Sequence, residues 1–251
     1  MQFTDYQSKY KTIKFNRTNG VLEITLHTRG SDALWGISET SLHNELGLAC
    51  ADIAKDKENK VIILTGTGES FIAAMDDQER APEPSLAAMW PRIYQEGLDL
   101  LEKLLALPVP VIAAVNGPAL IHAEIAVLSD IVLAADHAEF ADLAHVPGGA
   151  VPGDGVHTIW LMLLGPNRGR YFLLTGERIS ALEAQRLGVV AEVHAKENLL
   201  PRAWELAVQL AKLPDPMLRH TRRLMVRNLK KRIQEELDVG LAVEALAMLS
   251  E

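Results

Sequence analysis

The chain lacks several things that common functions require. It has one cysteine, Cys50, in 251 residues, which leaves no internal disulfide framework and no cysteine-based metal cluster. Cys50 sits in Glu45-Leu-Gly-Leu-Ala-Cys-Ala-Asp-Ile and reads as a small packed side chain. Positive charge is in deficit: 25 Lys and Arg face 33 Asp and Glu, for a formal net charge of −8. That balance argues against a nucleic-acid surface. The basic run from Arg219 to Arg232 is the exception. Its leucine, methionine and valine recur at helical spacing, so it reads as a solvated helix face, with a phosphate contact as the alternative. No apolar run reaches membrane-spanning length before Pro108, Pro110, Pro118 or a charge interrupts it. The first ten residues have no apolar signal-peptide core. The expectation is a soluble, cytoplasmic protein with no membrane or nucleic-acid partner. No internal repeat or low-complexity linker divides it.

What is present is enough apolar material for a large core, at 48% hydrophobic residues. Ile13–Asn16 and Val21–His27 are short β runs around Thr-Asn-Gly, a hairpin signal. Ser38–Asp52 has helical periodicity, with Ser38 as its expected cap. Buried-strand runs follow at Val61–Gly66, Val111–Gly117 and Ile131–Ala135, with two more expected at Ala138–Ala141 and Val189–His194. Helical patterns cover Trp90–Leu107, a short piece from His122 to Ser129, then Gly155–Leu164, Arg168–Leu174, Ser180–Leu187, and everything from Asn198 onward. Strands alternate with helices and their apolar runs are continuous, which indicates an α/β fold around a buried, mostly parallel sheet. The expected organisation is a core over 1–195 and a helical C-terminal region over 196–251.

Against this background a few polar residues are out of place. Glu244 is the one charged residue in Val239-Gly-Leu-Ala-Val-Glu-Ala-Leu-Ala-Met-Leu249, and on a helix it aligns with Leu237, Leu241 and Met248. Burying an unpaired carboxylate costs several kcal/mol or forces it to take up a proton. Such an acid has a structural partner or belongs to a site. His122 and Glu124 interrupt another apolar run, while His145 and Asp154 lie in a stretch dense with glycine and proline. Three such places suggest one shared pocket.

Several phrases carry a resemblance: Val61-Ile-Ile-Leu-Thr-Gly-Thr-Gly, Val109-Pro-Val-Ile-Ala-Ala-Val-Asn-Gly-Pro-Ala-Leu, Ser129-Asp-Ile-Val-Leu-Ala-Ala, and Phe172-Leu-Leu-Thr-Gly-Glu-Arg-Ile-Ser-Ala-Leu-Glu-Ala. In order and spacing they resemble the crotonase (enoyl-CoA hydratase/isomerase) superfamily, from about Ile13 to the C-terminus. The resemblance implies a crotonase-like ββα spiral core, a C-terminal helical trimerisation region, and homotrimers or dimers of trimers. It also implies two backbone N–H groups that stabilise an enolate. The departures are informative. Hydratases have Ala-Gly-Ala-Asp where this chain has Ile72-Ala-Ala-Met-Asp76, and a run of glycines where it has Ala119-Leu-Ile-His-Ala-Glu124. Ile121 and His122 add bulk and restrict the backbone where glycine belongs. A hydratase carboxylate is replaced by His145 in Phe140-Ala-Asp-Leu-Ala-His.

This pattern is similar to a narrower branch, 6-oxocamphor hydrolase and related β-diketone hydrolases, which cleave a carbon–carbon bond between two carbonyls without coenzyme A. Ile121-His-Ala-Glu-Ile, His145, Val151-Pro-Gly-Asp-Gly-Val-His157 and Leu241-Ala-Val-Glu-Ala-Leu stand where that branch has its own versions. The resemblance implies a retro-Claisen hydrolase of a cyclic β-diketone, giving a keto acid. His145, oriented by Asp154, would deprotonate water; His122 and Trp35 would steady the oxyanion; Glu244 would position water or assist enolate protonation. Trp35, His122 and Met75 would line the substrate. Neither cofactor nor metal is implied, because the histidines lack a convincing ligand set. The bland alternatives remain: Asp154 as a helix cap, His122 as a satisfied core histidine, Glu124 as a structural partner, and His137, His157, His194 and His220 as structural or surface groups. The rival functions are a coenzyme-A thioester hydratase or isomerase using Glu124 and His145, and an oligomeric binding protein without turnover.

Overall fold

A computed structural model describes residues 1–79, 86–248 and 250. Leu249, the end of the apolar stretch around Glu244, and residue 251 of the expected helical region lie outside the described residues. In chain order the strands begin with β1 (Ile13–Thr18), β2 (Val21–Leu26), β3 (Leu34–Trp35), β4 (Val61–Gly66) and β5 (Ala74–Met75). They continue with β6 (Val111–Val115), β7 (Ile131–Ala135), β8 (Glu139–Phe140), β9 (Ile179–Ser180) and β10 (Glu192–His194). The helices are α1 (Leu42–Ile53), α2 (Leu86–Ala106), α3 (Glu124–Val127), α4 (Val156–Leu164) and α5 (Pro166–Thr175). After them come α6 (Ala181–Arg186), α7 (Lys196–Ala211), α8 (Asp215–Met225) and α9 (Arg227–Met248).

Asn19 (φ 52°) and Gly20 (φ 82°) both take the left-handed conformation and close the β1–β2 hairpin, as the Thr-Asn-Gly signal predicts. The sheet then grows by parallel pairing in the order β1-β2-β4-β6-β7-β10. The central strands β4 and β6 are apolar on both faces and buried along nearly their whole length. That is why their sequences do not alternate. The α/β expectation holds. Two short pairs sit outside the main sheet, β3 with β5 in parallel and β8 with β9 antiparallel.

Three local expectations are corrected. Helix α1 begins at Leu42 behind Ser41 rather than Ser38, and the Ser41 hydroxyl donates to the Ser38 carbonyl (2.7 Å) instead of capping the helix. Asp154 is not a cap either: Gly155, at φ 98°, occupies that position on α4, and no side chain caps it. The basic run is not simply a solvated face. Arg222 is buried, pairs with Asp130 (2.6 Å), and donates to the carbonyls of Leu105 and Leu107. It pins α8 to the turn between α2 and β6.

The chain entering the expected C-terminal region first lays α7 against β2, β4, β6 and β7. Only then does it return through α8 to α9, which packs on α2 and α4. Ile233, Leu237 and Leu241 form the buried stripe of α9. Val239, Val243 and Leu246 remain exposed on the same helix, as do Leu224 and Met225 on α8.

Candidate active site

Four pieces of backbone converge on one pocket. The first is the β3–β5 pair, in which Trp35 lies opposite Met75. The Asp76 N–H donates to the Trp35 carbonyl (2.7 Å), and the Arg29 guanidinium clasps the Asp76 carboxylate through both terminal nitrogens (2.7 and 2.9 Å). Trp35 and Met75 are thereby presented together, Trp35 buried and Met75 exposed at the rim.

The second piece is the turn before α3. Its Leu120 and Ile121 N–H groups both donate to the Ile72 carbonyl (2.9 and 3.1 Å), so they are committed to the fold. His122 follows at φ 51°, a left-handed conformation that glycine adopts freely and histidine does not. Strain of this kind persists only where surroundings fix it. Here the ring stacks on Trp35, centroids 4.0 Å apart, while Nδ1 lies 2.8 Å from Glu124 Oε1 and 2.9 Å from Asp154 Oδ2.

The third piece is the loop after β8, held along the second by Leu143 N–H to Leu120 O (2.9 Å). It delivers His145, whose ring meets His122 edge-on at 5.3 Å. Nδ1 of His145 lies 2.7 Å from Asp142 Oδ1, and Nε2 lies 3.3 Å from Asp154 Oδ1. The orienting contact expected from Asp154 is therefore shared, and its shorter half comes from Asp142.

The fourth piece is a backbone-to-backbone seam between the loop before α4 and α9. A Cβ on Gly153 would stand 2.2 Å from the Gly240 carbonyl oxygen, and one on Gly240 would stand 2.1 Å from that of Gly153. Only a glycine pair permits this approach. It sets Asp154 and Glu244, one residue and one helical turn away, into the same wall.

The sequence-predicted site residues His122, His145, Asp154, Glu244, Trp35 and Met75 all line one pocket of about 240 Å³, small-molecule scale. Glu124 lies behind His122 and does not line the pocket. His157, His137, His194 and His220 lie outside the pocket too. Three participants were missed. Asp142 escaped because it sits inside a motif read only for His145; the i, i+3 spacing of the pair was the available signal. His43 lines the pocket from α1, edge-on to Trp35, with Nδ1 3.1 Å from Glu96. Trp90 lines it from α2, and its buried indole N–H has no partner among the described residues. Neither looks unusual in sequence.

The electrostatics follow from burial plus pairing. Glu124 and Asp142 are 1% exposed, His145 3% and Glu244 7%. Burial alone would lower both imidazoles, but the facing carboxylates prevail. Glu124 and Asp154 push His122 up to about 10. Asp154 and Asp142 push His145 up to about 12. Burial would likewise raise Asp154, yet the two imidazoles hold it well below the usual carboxylate range. Burial raises Glu124 against the pull of His122. Glu244, with no imidazole or guanidinium bonded to it among the described residues, is pushed up to about 7 by burial and then by the Asp154 charge. Its Oε2 is buried without a hydrogen-bond partner among the described residues.

His122, His145 and Asp154 also bring three potential metal-ligand atoms within 4.8 Å of one another, a grouping that the spacing in sequence did not suggest. Asp154 already lies at ion-pair distance from both rings, 2.9 Å from His122 and 3.3 Å from His145, so a divalent ion would have to displace the protons that charge them. The set does not fit a resident metal. Among the described residues that line the pocket there is no lysine or arginine.

The chain is similar to several known proteins. Among solved structures, a β-diketone hydrolase from the cyanobacterium Anabaena sp. PCC 7120, bound to (S)-3-oxocyclohexyl acetic acid, superposes with a TM-score of 0.92 at 41% identity, over 97% of this chain and 96% of that one. An enoyl-CoA hydratase/isomerase from Mycobacterium paratuberculosis does so with a TM-score of 0.86 at 27% identity, over 96% and 94%. Among curated relatives, a carnitinyl-CoA dehydratase from Citrobacter koseri is 36% identical over 201 residues, 80% of this chain and 74% of the relative. The enoyl-CoA hydratase/isomerase family model matches residues 16–245, so this chain is a crotonase-superfamily enzyme and belongs to the enoyl-CoA hydratase/isomerase family.

Proposed function

We propose that the enzyme hydrolyses a carbon–carbon bond of an uncharged cyclic β-diketone by a retro-Claisen reaction, releasing a keto acid. The observation that carries this reading is His122 itself. It stands where hydratases have glycine, held in a left-handed conformation with its ring in the pocket, its Nδ1 edge on two carboxylates and its face on Trp35. A charged side-chain donor there replaces a backbone N–H donor, which suits an oxyanion on a free ketone. The described pocket lining has no lysine or arginine for the phosphates of coenzyme A.

The ligand of the Anabaena relative supports the substrate class. Rejoining the carboxyl carbon of such an acid to the far ring carbon beside its ketone, with loss of water, gives a bridged bicyclic 1,3-diketone. Water adds to one carbonyl, and the oxyanion forms against His122 and Trp35. The tetrahedral adduct then collapses because the departing carbon becomes an enolate conjugated with the second carbonyl. The His145–Asp154 pair and Glu244 handle the protons. No step calls for a cofactor.

A second reading, a coenzyme-A thioester dehydratase or hydratase using Glu124 and His145, is favoured by the 36% identity to carnitinyl-CoA dehydratase. Side-by-side turnover of a panel of cyclic β-diketones and crotonyl-coenzyme A separates them. Diketone cleavage to keto acid supports the proposal. Hydration of the thioester at ordinary enzyme rates, with every diketone left intact, overturns it.

A further inference from the structure

Asp142 is a buried carboxylate that none of the proposed reaction steps uses. It follows β8, its Oδ1 lies 2.7 Å from His145 Nδ1, and its Oδ2 has no partner among the described residues. On the other side of the same ring, Asp154 Oδ1 faces Nε2 at 3.3 Å. A neutral imidazole has one N–H, and an ionised carboxylate only accepts. Two carboxylates this close to opposite nitrogens, one hydrogen-bonded and one at ion-pair distance, favour the doubly protonated, charged ring. A base acting on water must instead offer a lone pair, which a doubly protonated ring does not have.

We propose that Asp142 is a positioning residue that, opposite Asp154, keeps His145 doubly protonated, so that His145 gives a proton to the departing enolate while Glu244 takes the proton lost by water. The chemical steps rest on the diketone-hydrolase reading; the protonation of the resting ring does not. Glu244 lines the same pocket without an ion pair to an imidazole among the described residues, and its Oε2 is buried with no hydrogen-bond partner there, whereas Asp154 lies at ion-pair distance from both rings. Its carboxyl is pushed up to about 7, where a base for water is best matched to neutral solution.

The protons balance. Water loses one to Glu244 as its oxygen bonds to the carbonyl carbon, leaving a tetrahedral oxyanion. The carbon–carbon bond breaks, its electron pair passes into the enolate, and a carboxylic acid forms. The enolate takes a proton from His145, and the new carboxylic acid returns one to His145. Glu244 releases the water proton to solvent. The net change is diketone plus water to keto carboxylate plus one proton.

The groups facing His145 are Asp142 and Asp154 on its two nitrogens, His122 edge-on, Glu124 behind His122, and Glu244 in the same wall. The test is ¹⁵N NMR of histidine-labelled protein at pH 8, with the His145 signals assigned by their loss in His145→Gln. Wild type should show two protonated ring nitrogens, Asp142→Asn a neutral ring with one N–H, and Asp142→Glu the wild-type pattern again. Asp142→Asn should also lower kcat on a cleaved diketone by about 10²-fold at near-constant KM. Circular dichroism checks its folding. A neutral His145 ring in wild type at pH 8 overturns the proposal, even if Asp142→Asn does not fold. So does a folded Asp142→Asn whose ring stays doubly protonated. If no diketone is cleaved while the wild-type ring is doubly protonated, the reading of the reaction fails and the role of Asp142 stands.

Discussion

The imidazole of His122 lies on the indole of Trp35, ring centroids 4.0 Å apart and planes 28° apart. The two carboxylates at its Nδ1 edge keep it charged, and a cation over an indole face gains from the ring quadrupole. On the proposed mechanism the hydrogen bond it gives a substrate carbonyl is made before reaction as well as during it. His122→Ala should therefore raise KM by roughly 10- to 100-fold, the worth of one charged hydrogen bond, and lower kcat too. Steady-state kinetics measures both. An unchanged KM would place the substrate carbonyl elsewhere.

Glu244 sets a pH dependence whose sign can be worked out. Its pKa in the folded protein is raised from 4.5 to about 7, so between those values the folded state holds a proton that the unfolded chain has lost. Stability then falls as pH rises through that window. Glu244→Gln should make the fall shallower, leaving the part that His122 and His145 contribute above pH 6.5, and should stabilise the protein at pH 8 by on the order of 3 kcal/mol, read by urea denaturation at pH 5 and pH 8. Activity runs the other way. In wild type kcat/KM should rise with pH through about 7 as Glu244 ionises, and Glu244→Gln should lose that limb.

The Gly153–Gly240 seam predicts a long-range effect. In Gly240→Ala the new methyl would stand 2.1 Å from the Gly153 carbonyl oxygen, so α9 and the loop must part. We expect a stability loss of about 1–3 kcal/mol and a fall in kcat as Glu244 is displaced. Gly97→Ala, where the nearest atoms lie at 3.6 Å, should instead stabilise α2 by about 0.5–1 kcal/mol. Thermal melts and kinetics of the two variants test the contrast.

Much of the fold was legible because its signals are local. Val61–Gly66 and Val111–Val115 announce buried strands by continuous apolar runs, and Asn19–Gly20 announces a hairpin by its backbone preferences. Glu244 was visible because a charge on an apolar stripe is anomalous anywhere. Asp142 was not visible, since an aspartate in a loop is ordinary until the fold shows which ring it touches. His43 and Trp90 join the site through tertiary packing alone. Arg222 was hidden by its basic neighbours, because sequence cannot say which arginine of a run meets Asp130.

Assembly follows from the apolar residues left uncovered. Val239, Val243 and Leu246 lie exposed about one turn apart on α9, and Leu224 and Met225 lie exposed on α8; covering them would remove apolar surface from water. The helical C-terminal region should pack against copies of itself in a closed ring. Light scattering at micromolar concentration should report a trimer or a multiple of it. A stable monomer would contradict this.

The most direct measurement is mass spectrometry of the product formed from a bridged bicyclic 1,3-diketone in ¹⁸O-labelled water. The account predicts a ring-opened keto acid that carries one solvent oxygen in its carboxyl group, formed without coenzyme A and lost with His145→Ala. Recovery of intact diketone, while crotonyl-coenzyme A is hydrated by the same preparation, would contradict it.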